Sequence, residues 1–227
     1  MNISRRNLAL AAFALAAAAG SSPVRASDAS EAADLVLQAQ ATIAAFGANK
    51  DFPTFSPALA KAKAVLIFPQ VLKAGFILGG SGGNGVLLVR DAKSGGWVGP
   101  AFYTMGSASL GFQAGASSAE VVMIINSQKS LDALYSSKVK LGGDASAAIG
   151  PKGVGTVTAF NSDFIVYSTV KGAFAGLTVD GTVLDVRGAL NNAYYGTKTT
   201  PIEILVKQEH KKPEAAALQA TVKKAAS

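Results

Sequence analysis

The sequence predicts an α+β fold, with a glycine-rich antiparallel β-barrel or sandwich as core, flanking short helices and an N-terminal amphipathic helix. Between residues 73 and 126, short apolar runs such as Val86–Val89 and Val121–Ile125 alternate with glycine clusters. This pattern is typical of buried strands bounded by turns. Ahead of it, apolar residues recur at helical spacing. With 49% hydrophobic and 15% charged residues among 227, the chain suits one folded domain with terminal appendages.

Residues 1–26 resemble an export signal. Arg5 and Arg6 give a positive start, Leu8–Ala19 is an apolar run too short to span a bilayer, and Val24-Arg25-Ala26 matches a small-x-Ala cleavage pattern. We therefore expect an exported, periplasmic protein, cut after Ala26 and peripheral to the membrane. The arginine pair leaves both a twin-arginine signal and an ordinary secretory signal open, and an uncleaved anchor is a third alternative.

The stretch from Asp28 to Phe46 predicts an amphipathic helix. Asp28 with Glu31 resembles a capping box. The apolar positions share one arc at 3.6 residues per turn: Ala32, Leu35, Val36, Ala39, Ile43 and Phe46. This helix could pack on the sheet or lie on a membrane surface. Its polar side carries acids and glutamines instead of the lysines of an interfacial helix, which favours packing.

The elements that follow are predicted from local patterns. Ser56-Pro57 indicates a short helix to Ala64, and Val65–Phe68 indicates a strand that Pro69 ends. Gly79–Gly85 is interpreted as a glycine-rich hairpin instead of a phosphate loop, because no GK[ST] motif follows and the next element is a strand.

Further elements complete the prediction. Two more short helices are expected at Ser127–Tyr135 and Ala189–Tyr195, and strands at Lys138–Leu141, Phe164–Val170, Phe174–Val179 and Thr182–Val186. Asp180-Gly181 marks a hairpin between the last two strands. The tail from Lys211 is expected to be a frayed helix or disordered.

The sequence does not resemble an enzyme. It has no cysteine and a single histidine, His210, so a nucleophile–histidine system is hard to build. The acids are dispersed, which predicts no metal site, and we expect no cofactor. Arg90, Asp144, Lys171 and Asp185 are the polar residues a catalyst could use, and nothing in the sequence brings them together. Neither a long basic block nor an aromatic RNA-binding signature is present, so we expect no nucleic-acid partner.

The charge balance predicts an acidic partner of modest affinity. Without the three arginines of the signal, 18 of the 21 basic residues remain against 14 acidic ones, a net charge of +4. Lys61, Lys63 and Lys73 form the densest basic group outside the tail. They could form a solvated surface or contact phosphate head groups.

Blocks across residues 30–197 resemble the SYLF domain, in order and with few gaps. They begin with Ala58–Pro69 and continue at Lys73–Phe76, Gly85–Arg90, Trp97–Pro100, Gly111–Ala116, Val121–Ser127, Leu141–Ser146, Ala148–Pro151, Tyr167–Gly176, Asp180–Val183 and Asn192–Gly196. The resemblance implies a SYLF-like domain over residues 27–197, followed by a C-terminal helical extension and basic tail over residues 198–227.

The resemblance implies lipid binding without catalysis. Eukaryotic SYLF proteins are similar to phosphoinositide-binding modules, and a fungal branch binds and bundles actin. Their membrane contact is attributed to an amphipathic helix and basic residues. Carried over to this chain, the candidate lipid-binding residues are Leu35, Val36, Ile43, Phe46, Lys61, Lys63 and Lys73. For an exported protein, we expect an anionic phospholipid such as phosphatidylglycerol or cardiolipin, and no actin.

Two functions therefore stay open. In the first, the domain binds an anionic lipid or membrane surface through its first helix and its lysines. In the second, it is a structural or protein-interaction module of the cell envelope without lipid binding. The first helix is then part of the core, and the partner is an envelope protein.

Overall fold

The computed structural model describes residues 23–75, 78–110, 115–136, 138–150, 161–172 and 179–227. Its α-helices are α1 (Pro23–Ala48), α2 (Phe55–Lys61), α3 (Gln128–Ser136), α4 (Gly188–Tyr195) and α5 (Ala216–Ala225). A π-helical turn (Ile202–Val206) and a 3₁₀ turn (Pro213–Ala215) lie between α4 and α5. The predicted signal lies outside the described residues, except for its last four positions, which belong to α1.

Within the described residues, eight strands form one curled, half-barrel sheet. The strands are β1 (Ala64–Gly75), β2 (Leu78–Arg90), β3 (Trp97–Leu110), β4 (Gly115–Ile125), β5 (Val139–Lys140), β6 (Ala147–Ile149), β7 (Phe164–Gly172) and β8 (Val183–Val186). Their order is β5-β8-β3-β2-β1-β4-β7-β6, and every pair is antiparallel except β6 and β7. The α+β prediction with a glycine-rich antiparallel core is confirmed.

The sheet is covered on both faces, which explains why its central strands contain unbroken apolar runs such as Val86–Val89 and Val121–Ile125. What we term the helical face packs under α1, α2, α4 and α5 through Val65, Ile67, Val86, Leu88, Phe102, Val122, Ile124, Ile165 and Tyr167. The opposite face packs under α3 and the π-helical turn through Leu66, Phe68, Leu87, Tyr103, Val121, Met123, Phe164 and Val166. Each large apolar side chain buried here contributes about 1.5–3 kcal/mol.

The predicted end of the first strand at Pro69 is wrong. β1 continues to Gly75, and its pairing register with β4 shifts between Phe68 and Val71. Proline lacks the N–H that a ladder requires, and an irregularity of this kind is where a strand tolerates it. The strand is therefore bent at Pro69 instead of terminated.

The glycine-rich stretch predicted as a hairpin pairs antiparallel with β1, but its glycines lie within a strand and not in a turn. β2 contains all of Gly79–Gly85. A Cβ atom on Gly85 would lie 2.5 Å from the carbonyl oxygen of Ile67 and 2.5 Å from Cδ1 of Phe68, and one on Gly83 would overlap the carbonyl oxygen of Gln70. These glycines let the bent part of β1 lie against β2.

The other helices and strands predicted within the described residues form with differences at their ends, and β6 was not predicted. α1 starts before Asp28, so the capping box is wrong. α2 ends at Lys61 and not at Ala64, because Ala64 is the first residue of β1. The predicted hairpin at Asp180-Gly181 has a turn glycine with φ of +81°, but its first arm lies largely outside the described residues. The second arm, β8, pairs with β3 and β5.

The C-terminal tail is not frayed. Leu218 and Val222 of α5 are fully buried in the core that contains α1. A Cβ on Gly47 would lie 2.9 Å from that of Ala225, so glycine permits the close approach of α5 to the end of α1. The predicted domain boundary after residue 197 stays a prediction. The part of the chain after it, which contains α5, shares a hydrophobic core with α1.

Candidate functional site

The four predicted lipid-inserting residues of α1 belong to the core. Leu35 is 8% exposed, Val36 3%, Ile43 0% and Phe46 1%. The ring of Phe46 stacks on that of Phe52 with centroids 5.6 Å apart. The helix therefore packs on the sheet, and these residues cannot enter a bilayer in this conformation. Lipid contact by them stays a prediction that requires α1 to leave the sheet.

Polar bonds also hold α1 in place. The hydroxyl of Thr42, only 2% exposed, donates to Oε1 of Glu120 at 3.1 Å, and the hydroxyl of Thr169 donates to Oε2 at 3.1 Å. Near the other end of the helix, the amide of Asn84 donates to Glu31 at 2.8 Å. These contacts could not be predicted from sequence, because nothing local to Thr42 indicates a partner 78 residues away.

The three predicted head-group lysines are not brought together. Lys61 ends α2 and Lys63 immediately precedes β1, and both are exposed. Lys73 lies ten residues further along β1, between Ser81 on β2 and Ser117 on β4. Ten strand residues span about 33 Å. Lys73 therefore belongs to the other end of the sheet.

Arg90 and Lys93 join Lys61 and Lys63 at their end of the sheet. The N–H of Arg90 donates to the carbonyl of Lys63 at 2.8 Å. Its guanidinium donates to the carbonyls of Leu59 and Ala62, each at 3.0 Å. We term Lys61, Lys63, Arg90 and Lys93 the basic edge. Arg90 could be singled out from sequence only as an isolated cation, because its neighbours are set by the pairing of β1 with β2.

The guanidinium of Arg90 is fixed by its surroundings. It lies over the ring of Trp97 at 4.5 Å and donates to the carbonyl of Gly95 at 3.3 Å. These partners neutralise none of its charge, because carbonyls and the indole carry no net charge. Asp91 is the single acid within residues 61–63 and 90–95, and hydrogen bonds, first that from the Ser94 hydroxyl, lower its pKa.

The N-terminal half of α1 borders an acidic groove. A groove of about 480 Å³ between α1 and the glycine-rich part of β2 is lined by Glu31, Asp34, Gln70, Leu72 and Asn84, among others. Carboxylates at its rim repel anionic head groups. The basic edge, and not this groove, therefore presents the charge that suits an anionic surface.

Among the residues that a catalyst could use, those with described side chains each have a partner of their own. Asp185 forms an ion pair with Lys138 at 3.0 Å, and Asp144 accepts a hydrogen bond from the backbone N–H of Lys140 at 2.8 Å. Arg90 is held at the basic edge, and the side chain of Lys171 lies outside the described ones. Across the described ranges, no cluster of three or more acids or histidines is placed to hold a metal ion.

Within the described part of the chain, no helix is both long and apolar enough to span a bilayer.

Comparison with known proteins identifies relatives. The family model described as "Ysc84: Las17-binding protein actin regulator" matches residues 106–225. Protein YSC84 of Saccharomyces cerevisiae is 33% identical over 167 residues, which cover 70% of this chain and 35% of that protein. SH3 domain-containing YSC84-like protein 1 of Homo sapiens is 29% identical over 184 residues, covering 79% of this chain and 53% of that protein. The chain thus spans about a third to a half of the length of these relatives. No solved structure matches it.

Proposed function

The chain belongs to the Ysc84 (SYLF) family, and from that premise we propose that it is a non-enzymatic module that binds the surface of anionic phospholipid membranes. The basic edge is the observation that supports this proposal. Lys61, Lys63 and Lys93 are exposed there, next to the fixed guanidinium of Arg90, and Asp91 is the one acid within residues 61–63 and 90–95.

The strength of this binding follows from the number of charges. A basic residue near an anionic surface contributes about 1 kcal/mol. Lys61, Lys63, Arg90 and Lys93 offset by Asp91 therefore provide about 3 kcal/mol, which is reversible attachment. Because exposed charges are screened beyond about 8 Å at physiological salt, the binding is salt-sensitive. Because this binding does not require any side chain to enter the acyl-chain region of the bilayer, α1 remains packed on the sheet.

The predicted export signal is the basis for the choice of lipid. In a periplasmic protein, the available anionic surface is phosphatidylglycerol or cardiolipin, and not a phosphoinositide. Both lipids present phosphate oxygens, and the ammonium group of lysine binds such oxygens as a point charge.

A double substitution at the basic edge tests the proposal. Lys61→Glu with Lys63→Glu is expected to lower partitioning onto phosphatidylglycerol vesicles by at least tenfold, since it removes two contacts worth about 1 kcal/mol each and adds repulsion. The matched control is Lys73→Glu with Lys140→Glu, which changes net charge equally but away from the basic edge, and it should retain most of the binding. Equal losses of vesicle binding in both variants would contradict a localised binding surface and would indicate that net charge alone drives the binding.

A protein-interaction module of the envelope is the second candidate. It is favoured by the matching family model, whose description refers to binding of the protein Las17 and to regulation of actin. In that case vesicle binding is absent at physiological salt, while affinity purification from envelope extract recovers one defined protein. Loss of that protein on substitution of the basic edge, in a chain that does not bind vesicles at physiological salt, would favour this candidate.

A further inference from the structure

The outward face of α1 has no charge over four turns. Between Asp34 and Lys50 the sequence contains no charged residue. The exposed positions in this stretch are Leu37, Gln38, Ala41, Ala44, Ala45, Gly47 and Ala48. Leu37 is 64% exposed, a large value for a leucine in a folded protein. A solvent-facing helix surface ordinarily carries charged residues, so this face is unusual for a surface in contact with water alone.

This face forms one wall of a groove. About 530 Å³ of space lies between α1 and α5, lined by residues that include Leu37, Ala41, Ala44, Thr221 and Lys224. Gly47 and Ala225, where the two helices are in close contact, also line it. The groove is thus mainly apolar, with a single cation at one end.

The spacing along α1 suits another helix. Asp34, Leu37, Ala41, Ala44 and Ala48 follow one another at intervals of three and four, the spacing of a seam between two packed helices. Alanines permit close approach of a second helix, and Leu37 projects as a knob beside them. The seam therefore contains both a knob and the holes that would receive it.

The charges at the two ends of the seam are complementary. Asp34 lies at the N-terminal end and Lys224 lines the groove at the C-terminal end, and both are exposed. Neither forms an ion pair with any residue in the described ranges. An anionic lipid would be repelled by Asp34, whereas a second copy in antiparallel orientation presents the opposite charge at each end.

We propose that two copies of this chain associate through α1, antiparallel about a two-fold axis near Ala41. Leu37 of each copy packs on Ala44 and Ala45 of the other, and Asp34 of each copy faces Lys224 of the other. The interface is self-complementary, as a two-fold axis requires. It uses neither Lys61 nor Lys63 and is independent of the proposed lipid surface.

The dimer is weak. The seam from Asp34 to Ala48 spans 15 residues, or about 22 Å, on a helix about 10–12 Å wide. This contact is smaller than the roughly 800 Å² per partner of a standard stable interface. Association should therefore depend on concentration over the range that sedimentation equilibrium covers.

Charge exchange tests the orientation of the two copies. In the full chain, Asp34→Lys and Lys224→Asp should each lower the association constant about tenfold, because each creates two like-charge pairs across the two-fold axis. The double variant should restore it to within about threefold of the wild type, by re-forming both pairs in reverse. A wild type that stays monomeric at all concentrations, or single losses that the double variant does not rescue, would overturn the proposal.

Cross-linking tests the position of the axis. The chain has no cysteine, so Ala41→Cys introduces a single thiol near its own counterpart, within reach of a disulfide. Oxidation should give a covalent dimer, while Lys93→Cys, exposed on the β2–β3 turn, should not. Equal cross-linking by both variants would contradict the interface. If Ala44→Glu lowers vesicle binding while the wild type is monomeric, the surface belongs to lipid contact and the proposal fails.

Discussion

At the residue scale, Gly85 decides whether β1 can bend over β2. A methyl group there would meet the Ile67 carbonyl and the Phe68 ring at 2.5 Å. We expect Gly85→Ala to lower the free energy of unfolding by about 2 kcal/mol, the usual cost of overpacking, as measured by urea unfolding. Gly80→Ala on the same strand is the matched control, because its Cβ would lie 3.5 Å from the nearest atom, the Ser107 carbonyl oxygen. A similar loss in both variants would refute the role of the contact.

The carboxyl group of Asp163 makes the stability of the fold depend on pH. It accepts hydrogen bonds from the Ser146 N–H at 2.9 Å and hydroxyl at 2.7 Å. The hydroxyl of Ser127 and these bonds from Ser146 lower the pKa of the Asp163 carboxyl from its ordinary 3.8. Because the folded-state pKa is the lower one, its contribution to stability is complete above about pH 5 and is lost as pH falls through the folded-state pKa.

Substitution of Asp163 tests this linkage. The stability difference between the wild type and Asp163→Asn should be largest near pH 7 and should shrink as pH falls below the ordinary carboxyl pKa of 3.8 and through the lower folded-state pKa. Urea unfolding at several pH values measures it. A difference that does not change with pH would show that the carboxylate charge contributes nothing.

At the element scale, α5 is part of the core. Leu218 is fully buried in the cluster that contains α1. We expect Leu218→Ala to lower the free energy of unfolding by about 2–4 kcal/mol, while Lys223→Ala, exposed on the same helix, should change it by less than about 0.5 kcal/mol. Thermal and urea unfolding measure both. A small effect at Leu218 would support the frayed tail that the sequence predicted.

Elements with a strong local period could be predicted from sequence. The periodicity of α1 and the apolar run of β7 each indicate one structure, and both form close to where they are predicted. The glycine-rich half of β2 could not be predicted as a strand from its sequence, because its conformation depends on the bent part of β1 that lies against Gly83 and Gly85. α5 was missed since its alanine-rich sequence is stabilised by packing on α1, a contact between the two ends of the chain.

At the scale of the whole molecule, the predicted site is divided in two. Lys61 and Lys63 could be paired from sequence because they are close in the chain. Their grouping with Arg90 depends on strand pairing, and the distance to Lys73 depends on β1 continuing through Pro69. The apolar arc of α1 was correctly identified, but periodicity alone does not distinguish a helix that packs on a sheet from one that packs on a membrane.

The burial of α1 changes how lipid binding would work. With Leu35 and Phe46 in the core, insertion would expose the sheet that they cover. Contact through the basic edge leaves the fold intact and depends on charge. Lipid binding and self-association then occupy different surfaces, so substitutions at Lys61 and Lys63 should leave the association constant of the dimer unchanged.

The most direct test of the central proposal is co-sedimentation of the purified protein with vesicles that contain or lack phosphatidylglycerol, over a salt series. We expect binding that requires the anionic lipid and decreases as salt increases, because a few exposed charges carry it. Binding that is equal on neutral vesicles and insensitive to salt would contradict the basic edge and point to insertion of α1. No binding at low salt would contradict a lipid function altogether and favour a protein partner.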